Sequence, residues 1–145
     1  MSGFLLDTNV ISELLRPRPH VAVVRWVEAT DENLLHLSVL TIGEICKGIA
    51  SVAGAARRTH LAAWLETELR PRFAGRLLPV TDAVAVRWGL LAGQASASGS
   101  PLPVIDGLLA ATALHHHLTL VTRNIKDVQR TGVPVLSPWE TRPGR

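Results

Sequence analysis

Gly3-Phe4-Leu5-Leu6-Asp7-Thr8-Asn9-Val10-Ile11-Ser12-Glu13-Leu14-Leu15 is the stretch on which the fold turns. Gly3 to Leu6 reads as a short buried strand. Asp7 stops it, and Thr8 to Leu15 continues at once as a helix. A strand that passes directly into a helix opens a β/α unit. Arg16-Pro17-Arg18-Pro19 ends that helix, because two prolines in four residues cannot continue it. The carboxylate at the junction is the oddity. Burying an unpaired carboxylate costs several kcal/mol, so it needs a cation or a dense set of donors. No Lys or Arg stands three or four residues from Asp7 to serve as a local partner.

The same alternation recurs along the chain. His20 to Glu28 is predicted helical with Val21, Val24 and Val27 on one side, and Thr30 to Asn33 is a turn before a strand at Leu34 to Leu37. Thr41 to Ala50 is an amphipathic helix, with Ile42, Ile45, Cys46 and Ile49 on one face and Cys46 acting as a small core residue. Gly54 to Leu69 forms another, carrying Leu61, Trp64, Leu65 and Leu69 and closed by Arg70-Pro71. Arg76 to Val80 is a third strand, Asp82 to Ala95 a helix with Val84, Trp88 and Leu91 aligned, and Ser96 to Pro101 a loop. Pro103 to His116 is apolar almost all round, hence a buried helix. Leu118 to Thr122 is a strand, Asn124 to Arg130 a short helix and Val133 to Leu136 the last strand. Short apolar strands between longer helices predict an α/β fold: a central, mostly parallel β-sheet flanked by helices. One domain over residues 1–140 is expected, with a loose tail at 141–145.

Composition sets the context. At 145 residues the chain can bury a real core, and at 47% hydrophobic but 4% aromatic that core is mainly aliphatic. A net charge of +3 and a pI near 10.0 suit an anionic partner such as nucleic acid. The single cysteine, Cys46, excludes an internal disulfide. The N-terminus lacks a basic segment followed by an apolar one, and no apolar stretch is long enough for a bilayer, so a cytoplasmic protein is expected.

Three of the 12 acids stand in or beside apolar segments: Asp7, Glu44 and Asp106. Each has a plain structural reading to weigh. Asp7 suits an N-cap. Thr41-x-x-Glu44 matches a capping box, with Lys47 three residues on. Asp106 is harder to explain so, since its neighbours at i+3, i+4 and i+7 are Leu109, Ala110 and Ala113. A first-turn acid gains only about 0.3 to 1 kcal/mol from the helix dipole. In a parallel sheet the residues following the strands gather at one edge, which is where α/β sites form. Asp7, Glu44 and the segment Arg123-Asn124 would converge there, with Asp106 early in its helix beside them. His115-His116-His117 reads as a polar, cationic helix end, since adjacent helical residues fan out by about 100°. Trp26, Trp64, Trp88 and Trp139 read as packing residues. Hard oxygen ligands without His or Cys select Mg²⁺ or Mn²⁺, which can cleave a phosphodiester.

Four segments resemble the motifs of PIN-domain ribonucleases, specifically the VapC-type toxins. They are Leu5-Leu6-Asp7-Thr8-Asn9-Val10-Ile11-Ser12-Glu13, Ser38-Val39-Leu40-Thr41-Ile42-Gly43-Glu44-Ile45, Pro103-Val104-Ile105-Asp106-Gly107-Leu108-Leu109-Ala110-Ala111-Thr112-Ala113, and Val121-Thr122-Arg123-Asn124-Ile125-Lys126-Asp127. Ser137-Pro138-Trp139 resembles the family's usual ending. They occur in order over almost the whole chain. The resemblance implies a three-layer PIN fold and an endoribonuclease dependent on Mg²⁺ or Mn²⁺. It implies Asp7, Glu44 and Asp106 as site residues, Asp7 and Asp106 as metal ligands, and Asn124 where relatives often carry Asp. It also implies an RNA substrate, a homodimer, a cognate antitoxin protein filling the groove, and operator DNA contacted only through that antitoxin.

Further expectations concern single residues. Asp127 would cap or pair with Arg123 or Arg130. Thr8 and Thr122 have hydroxyls able to orient ligands. Arg16, Arg18, Lys47, Arg123 and Lys126 are candidates for the RNA backbone. The helix bearing Trp64 and Leu65 is a candidate dimer face. A phosphatase with Asp7 as nucleophile would want a second acid at position 9, where Asn9 stands, and a dinucleotide fold would want a glycine-rich turn there.

Overall fold

Leu5 and Leu6 are both fully buried, yet they belong to different cores. Successive residues of a strand face opposite sides of a sheet, so an adjacent apolar pair needs cover on both faces. The computed structural model, which describes residues 3–140, supplies it. The strands are β1 (Phe4–Leu6), β2 (Leu35–Ser38), β3 (Leu77–Leu78), β4 (Thr119–Val121) and β5 (Val135–Leu136). All pair in parallel, in the order β3-β2-β1-β4-β5. Leu6 and its β4 partner Val121 join Leu35 and Leu37 under helices α1 (Thr8–Leu14), α2 (Val21–Ala29) and α3 (Val39–Ala50). Leu5 and its partner Leu120 face Leu109, Ala110 and Ala113 of α7 (Val104–His115) and Val128 of α8 (Ile125–Gln129). Each such fully buried Leu contributes about 1.5–3 kcal/mol. The three layers expected from the sequence are therefore present, and α6 (Asp82–Ala97) packs on α7.

Four of the five strands are shorter than the apolar runs suggested, β2 is shifted by one residue, and proline sets the limits of β3 and β5. Pro79 has no N–H to extend β3 beyond Leu78, and Pro134 none to begin β5 earlier, although its carbonyl accepts from Leu120 N–H at 2.8 Å. Gly3 permits the tight start of β1: a Cβ there would lie 2.7 Å from the Leu34 carbonyl oxygen.

Several helix details depart from expectation. Helix α3 begins at Val39, because the Ser38 hydroxyl accepts from Leu40 N–H at 3.0 Å and takes the N-cap position. Thr41 is consequently inside the helix and fully buried, and the core stripe runs through Thr41, Ile42 and Ile45. That shifts Cys46 to the solvent side, so it is exposed and not a core residue. In α2 the buried positions are Val23 and Val27, while Val21 in the first turn is 60% exposed. Arg70-Pro71 does not close the fourth helix. Helix α4 (Ala55–Trp64) widens into a π-turn at Leu65–Leu69 and runs on as α5 (Arg70–Arg72). Pro71 can donate no hydrogen bond and its ring crowds the preceding turn; the wider π-turn relieves both problems. Leu65 is 3% exposed and Trp64 is half-buried, both on the same core.

Helix α7 ends at His115, and His117 takes a left-handed φ of 56°. Burial, with the charges of His115, His36 and His117, holds His116 below its ordinary range. No described helix is long and apolar enough to cross a membrane. The tail expected to be loose, 141–145, lies outside the described residues.

Candidate functional site

Strand order reverses direction at β1 and β4: from β1 the chain moves to β2 and β3 on one side, then returns to β4 and β5 on the other. Beyond the carboxyl ends of strands at such a switch point, loops diverge and leave a crevice. Here it is an open cleft of about 350 Å³. All four residues singled out in the sequence, Asp7, Glu44, Asp106 and Asn124, line it. Asp7 follows β1 directly, Asn124 follows β4, Glu44 comes from α3, and Asp106 from the first turn of α7.

Asp7 is both the N-cap of α1 and a cleft residue, so its two readings are not rivals. One carboxylate oxygen accepts from Thr8 N–H at 2.6 Å. The other accepts from the Thr122 hydroxyl at 2.7 Å and from the Asn9 amide at 3.3 Å. Thr122 is fully buried, and its oxygen in turn accepts from Asn124 N–H at 3.1 Å and from the Asn9 amide at 3.3 Å. Asn9 accepts from Arg123 N–H at 3.4 Å. The turn after β4 is thereby tied to the turn after β1 through small polar side chains.

Glu44 is half-buried, and the capping box is absent because α3 starts two residues before Thr41. Its carboxylate accepts from the Thr8 hydroxyl at 2.5 Å, and Thr8 lies 3.3 Å from the Thr41 hydroxyl. A helix-α1 residue thus holds a helix-α3 acid beside Asp7. Asp106 is half-buried, less enclosed than its aliphatic neighbours suggest.

The electrostatics of the group are repulsive. Among the described residues no Lys, Arg or His forms an ion pair with Asp7, Glu44, Asp106 or Asp127. Burial pushes the Asp7 carboxyl above its ordinary 3.8 despite the donors from Thr122 and Thr8, and Glu44 pushes the same way. Asp106 is raised by burial and then by the charges of Asp7, Asp127 and Glu44. Asp127 therefore acts as a nearby negative charge. It does not pair with Arg123 or Arg130, and Arg130 instead donates to the carbonyls of Ser100 and Pro101.

Like charges gathered without a protein cation fit a divalent ion, and a donor set of oxygen alone suits Mg²⁺ or Mn²⁺ better than Zn²⁺. Among the described residues no three His, Cys, Asp or Glu side chains close around a single point. Mg²⁺ requires no such cage, since one or two carboxylates with water hold it.

Reading the sequence did not single out four cleft residues, Asn9, Ser12, Glu13 and Trp139. Glu13, 5% exposed, accepts from His20 N–H at 3.1 Å and lies 3.7 Å from Arg16. It stands four residues after Asn9, hence on the same helix face, which is the signal that would have found it. Trp139 also lines the cleft, although it packs on the core as expected of a packing residue. Of the proposed backbone contacts, Arg16 and Arg123 line the cleft, Lys47 borders a separate, mainly apolar groove that also reaches Glu44, and Arg18 and Lys126 are exposed outside both.

The family model for the PIN domain matches residues 4–133. Over 135 residues the chain is 38% identical to Toxin FitB of Neisseria gonorrhoeae, covering 93% of this chain and 97% of that protein. It is likewise 38% identical to VapC ribonuclease Y4jK of Sinorhizobium fredii over 136 residues, covering 94% and 97%. The solved structure of FitAB bound to an IR36 DNA fragment superposes with a TM-score of 0.90 at 34% identity, covering 98% of this chain and 99% of that one. A toxin–antitoxin complex from Klebsiella pneumoniae superposes with a TM-score of 0.66 at 27% identity, covering 96% and 100%.

Proposed function

The chain belongs to the PIN domain family, and from that premise we propose that it is the VapC-type ribonuclease toxin of a toxin–antitoxin pair, cleaving RNA phosphodiesters with Mg²⁺ or Mn²⁺ held by Asp7 and Asp106. The observation that carries this reading is the cleft itself: Asp7 and Asp106, held above the ordinary carboxylate range by burial and by neighbouring negative charge, have no basic partner and stand beside two arginines in a basic protein. Relatives named as a toxin and as a ribonuclease, and neighbours solved as complexes, support the biological role. The partners proposed with it are an RNA substrate, a cognate antitoxin and a second copy of the chain, with operator DNA reached only through the antitoxin. Residues 1–140 form the working domain, and its place of action is the cytoplasm.

The roles divide by position. Asp7, neutralised by neither Lys nor Arg, is fixed by Thr8 and Thr122 so that its remaining capacity faces the cleft with Asp106. Glu44, aimed by Thr8, supplies a further acceptor for water or ion. Asn124 brings an amide whose oxygen can orient water without adding charge. When bound, the ion supplies Lewis-acid activation of water and neutralises charge at the phosphate.

The test uses purified protein freed of any partner, incubated with cellular RNA in Mg²⁺, Mn²⁺ and EDTA arms beside an Asp7→Asn/Asp106→Asn control. Discrete cleavage that needs the ion and disappears in the control is expected. Neither cleavage nor divalent binding in any arm would favour the second reading, a non-catalytic RNA- or protein-binding module, which Asn124 keeps in view. Asn124→Asp adds a carboxylate and is expected to tighten Mn²⁺ binding by about tenfold in calorimetry. Unchanged or weaker binding would remove position 124 from the ion's surroundings.

A further inference from the structure

Arg123 has a placement that its charge alone does not explain. It occupies the same cleft as four acids, Asp7, Glu13, Glu44 and Asp106, yet none of them forms an ion pair with it. Its guanidinium instead lies over the Trp139 ring, 5.5 Å from the centroid. Its backbone is also anchored, since its N–H donates to Asn9, whose amide donates to Asp7. Trp139 is itself held, half-buried on the core that includes α2. A guanidinium held over an aromatic face has no acceptor in its fork, so its donors remain available to an anion.

We propose that Arg123 binds a phosphate of single-stranded RNA adjacent to the one attacked, and that Trp139 is the positioning residue that aims it. The ring satisfies the guanidinium without neutralising it. A carboxylate partner would have occupied the fork and opposed phosphate binding; a π face leaves it open. The anchor through Asn9 fixes this cation relative to Asp7, so the gripped phosphate and the acids keep a constant register. The inference rests on the ribonuclease reading above and deepens it.

The experiment measures binding of a fluorescent single-stranded RNA to the full-length chain in an Asp106→Asn background with EDTA, across a salt series. Arg123→Ala is expected to weaken binding by about tenfold and to reduce the slope of log K against log salt by about 0.7, the value of one single-strand phosphate contact. Arg123→Lys should restore the slope but not the full affinity, because a point charge replaces the fork. Trp139→Leu should weaken binding with the charge intact, and Trp139→Phe should recover it. In the cleaving protein the same variants should raise KM and leave kcat nearly unchanged. Unaltered affinity and slope in Arg123→Ala would overturn the assignment and leave a partner's carboxylate as the ligand. Unaltered affinity in Trp139→Leu would overturn the positioning role. If the parent chain binds no RNA and the wild type cuts none, the underlying reading falls too; cleavage by the wild type with intact Arg123→Ala binding overturns this inference alone.

Discussion

Thr122 illustrates how much of the site rests on small side chains. Its hydroxyl donates to Asp7 and accepts from Asn124 N–H, in a fully buried position. Thr122→Val keeps the shape and removes these two bonds together with the one from the Asn9 amide. It is expected to cost about 1–3 kcal/mol, read as a lower melting temperature, together with reduced cleavage. A melting temperature equal to wild type would mean that water replaces the hydroxyl. Asp106 makes the opposite case. In metal-free solution Asp7 and Asp106 hold their protons to higher pH when folded than when unfolded. That contribution to stability is complete below pH 3.8 and is lost as pH rises through the raised folded values. Asp106→Asn cannot ionise, so its melting temperature relative to wild type should climb with pH and then level off. A difference independent of pH would mean that the Asp106 carboxyl is not perturbed. Cleavage by this variant should fall by about 100-fold or more, the equivalent of roughly 3 kcal/mol. Asp7 and Asp106 were legible in the sequence because a carboxylate in an apolar run demands an explanation. Glu44 was legible as well, against a competing capping pattern that Ser38 pre-empts, whereas Glu13 was hidden behind an ordinary helical position.

Among the elements, the helices were more legible than the strands. Helical periodicity extends over ten or more residues, while a strand of two or three has no period to detect. The apolar runs located all five strands, but Pro79 and Pro134 decided where pairing begins or ends. The π-turn at Leu65–Leu69 left no trace in the pattern, since it arises from how the fold accommodates Pro71. Gly3 carries a prediction at this scale. A methyl group 2.7 Å from the Leu34 carbonyl oxygen would push β1 from the segment leading into β2. Gly3→Ala should therefore destabilise by about 1–3 kcal/mol in denaturant unfolding, as overpacking does. Equal stability would show that the sheet start yields freely.

For the whole molecule, the charge distribution opposes itself: the net charge is +3, yet the cleft at the switch point gathers acids. A ligand that binds only the folded state stabilises it by mass action, about 2.7 kcal/mol at one hundred times Kd. Mg²⁺ or Mn²⁺ should accordingly raise the melting temperature of the wild type by several degrees and that of Asp7→Asn/Asp106→Asn by almost nothing. An equal rise in both would place the ion elsewhere. The topology needed to predict this convergence was partly legible, because alternating strands and helices imply a parallel sheet. The strand order, which puts β4 beside β1 and so Thr122 beside Asp7, was not, because no local pattern records which strands are neighbours.

The two outermost strands have a consequence for the chain when it stands alone. β3 and β5 are two residues long, and each abuts a proline. An open sheet normally exposes a row of unpaired amides at each edge, a template on which a foreign strand can grow. Here an intruder would find almost no ladder to extend. The short edges thus disfavour fibril-like stacking of a protein freed of its partner at high concentration, even though apolar side chains such as Val86 and Leu90 of α6 stand exposed.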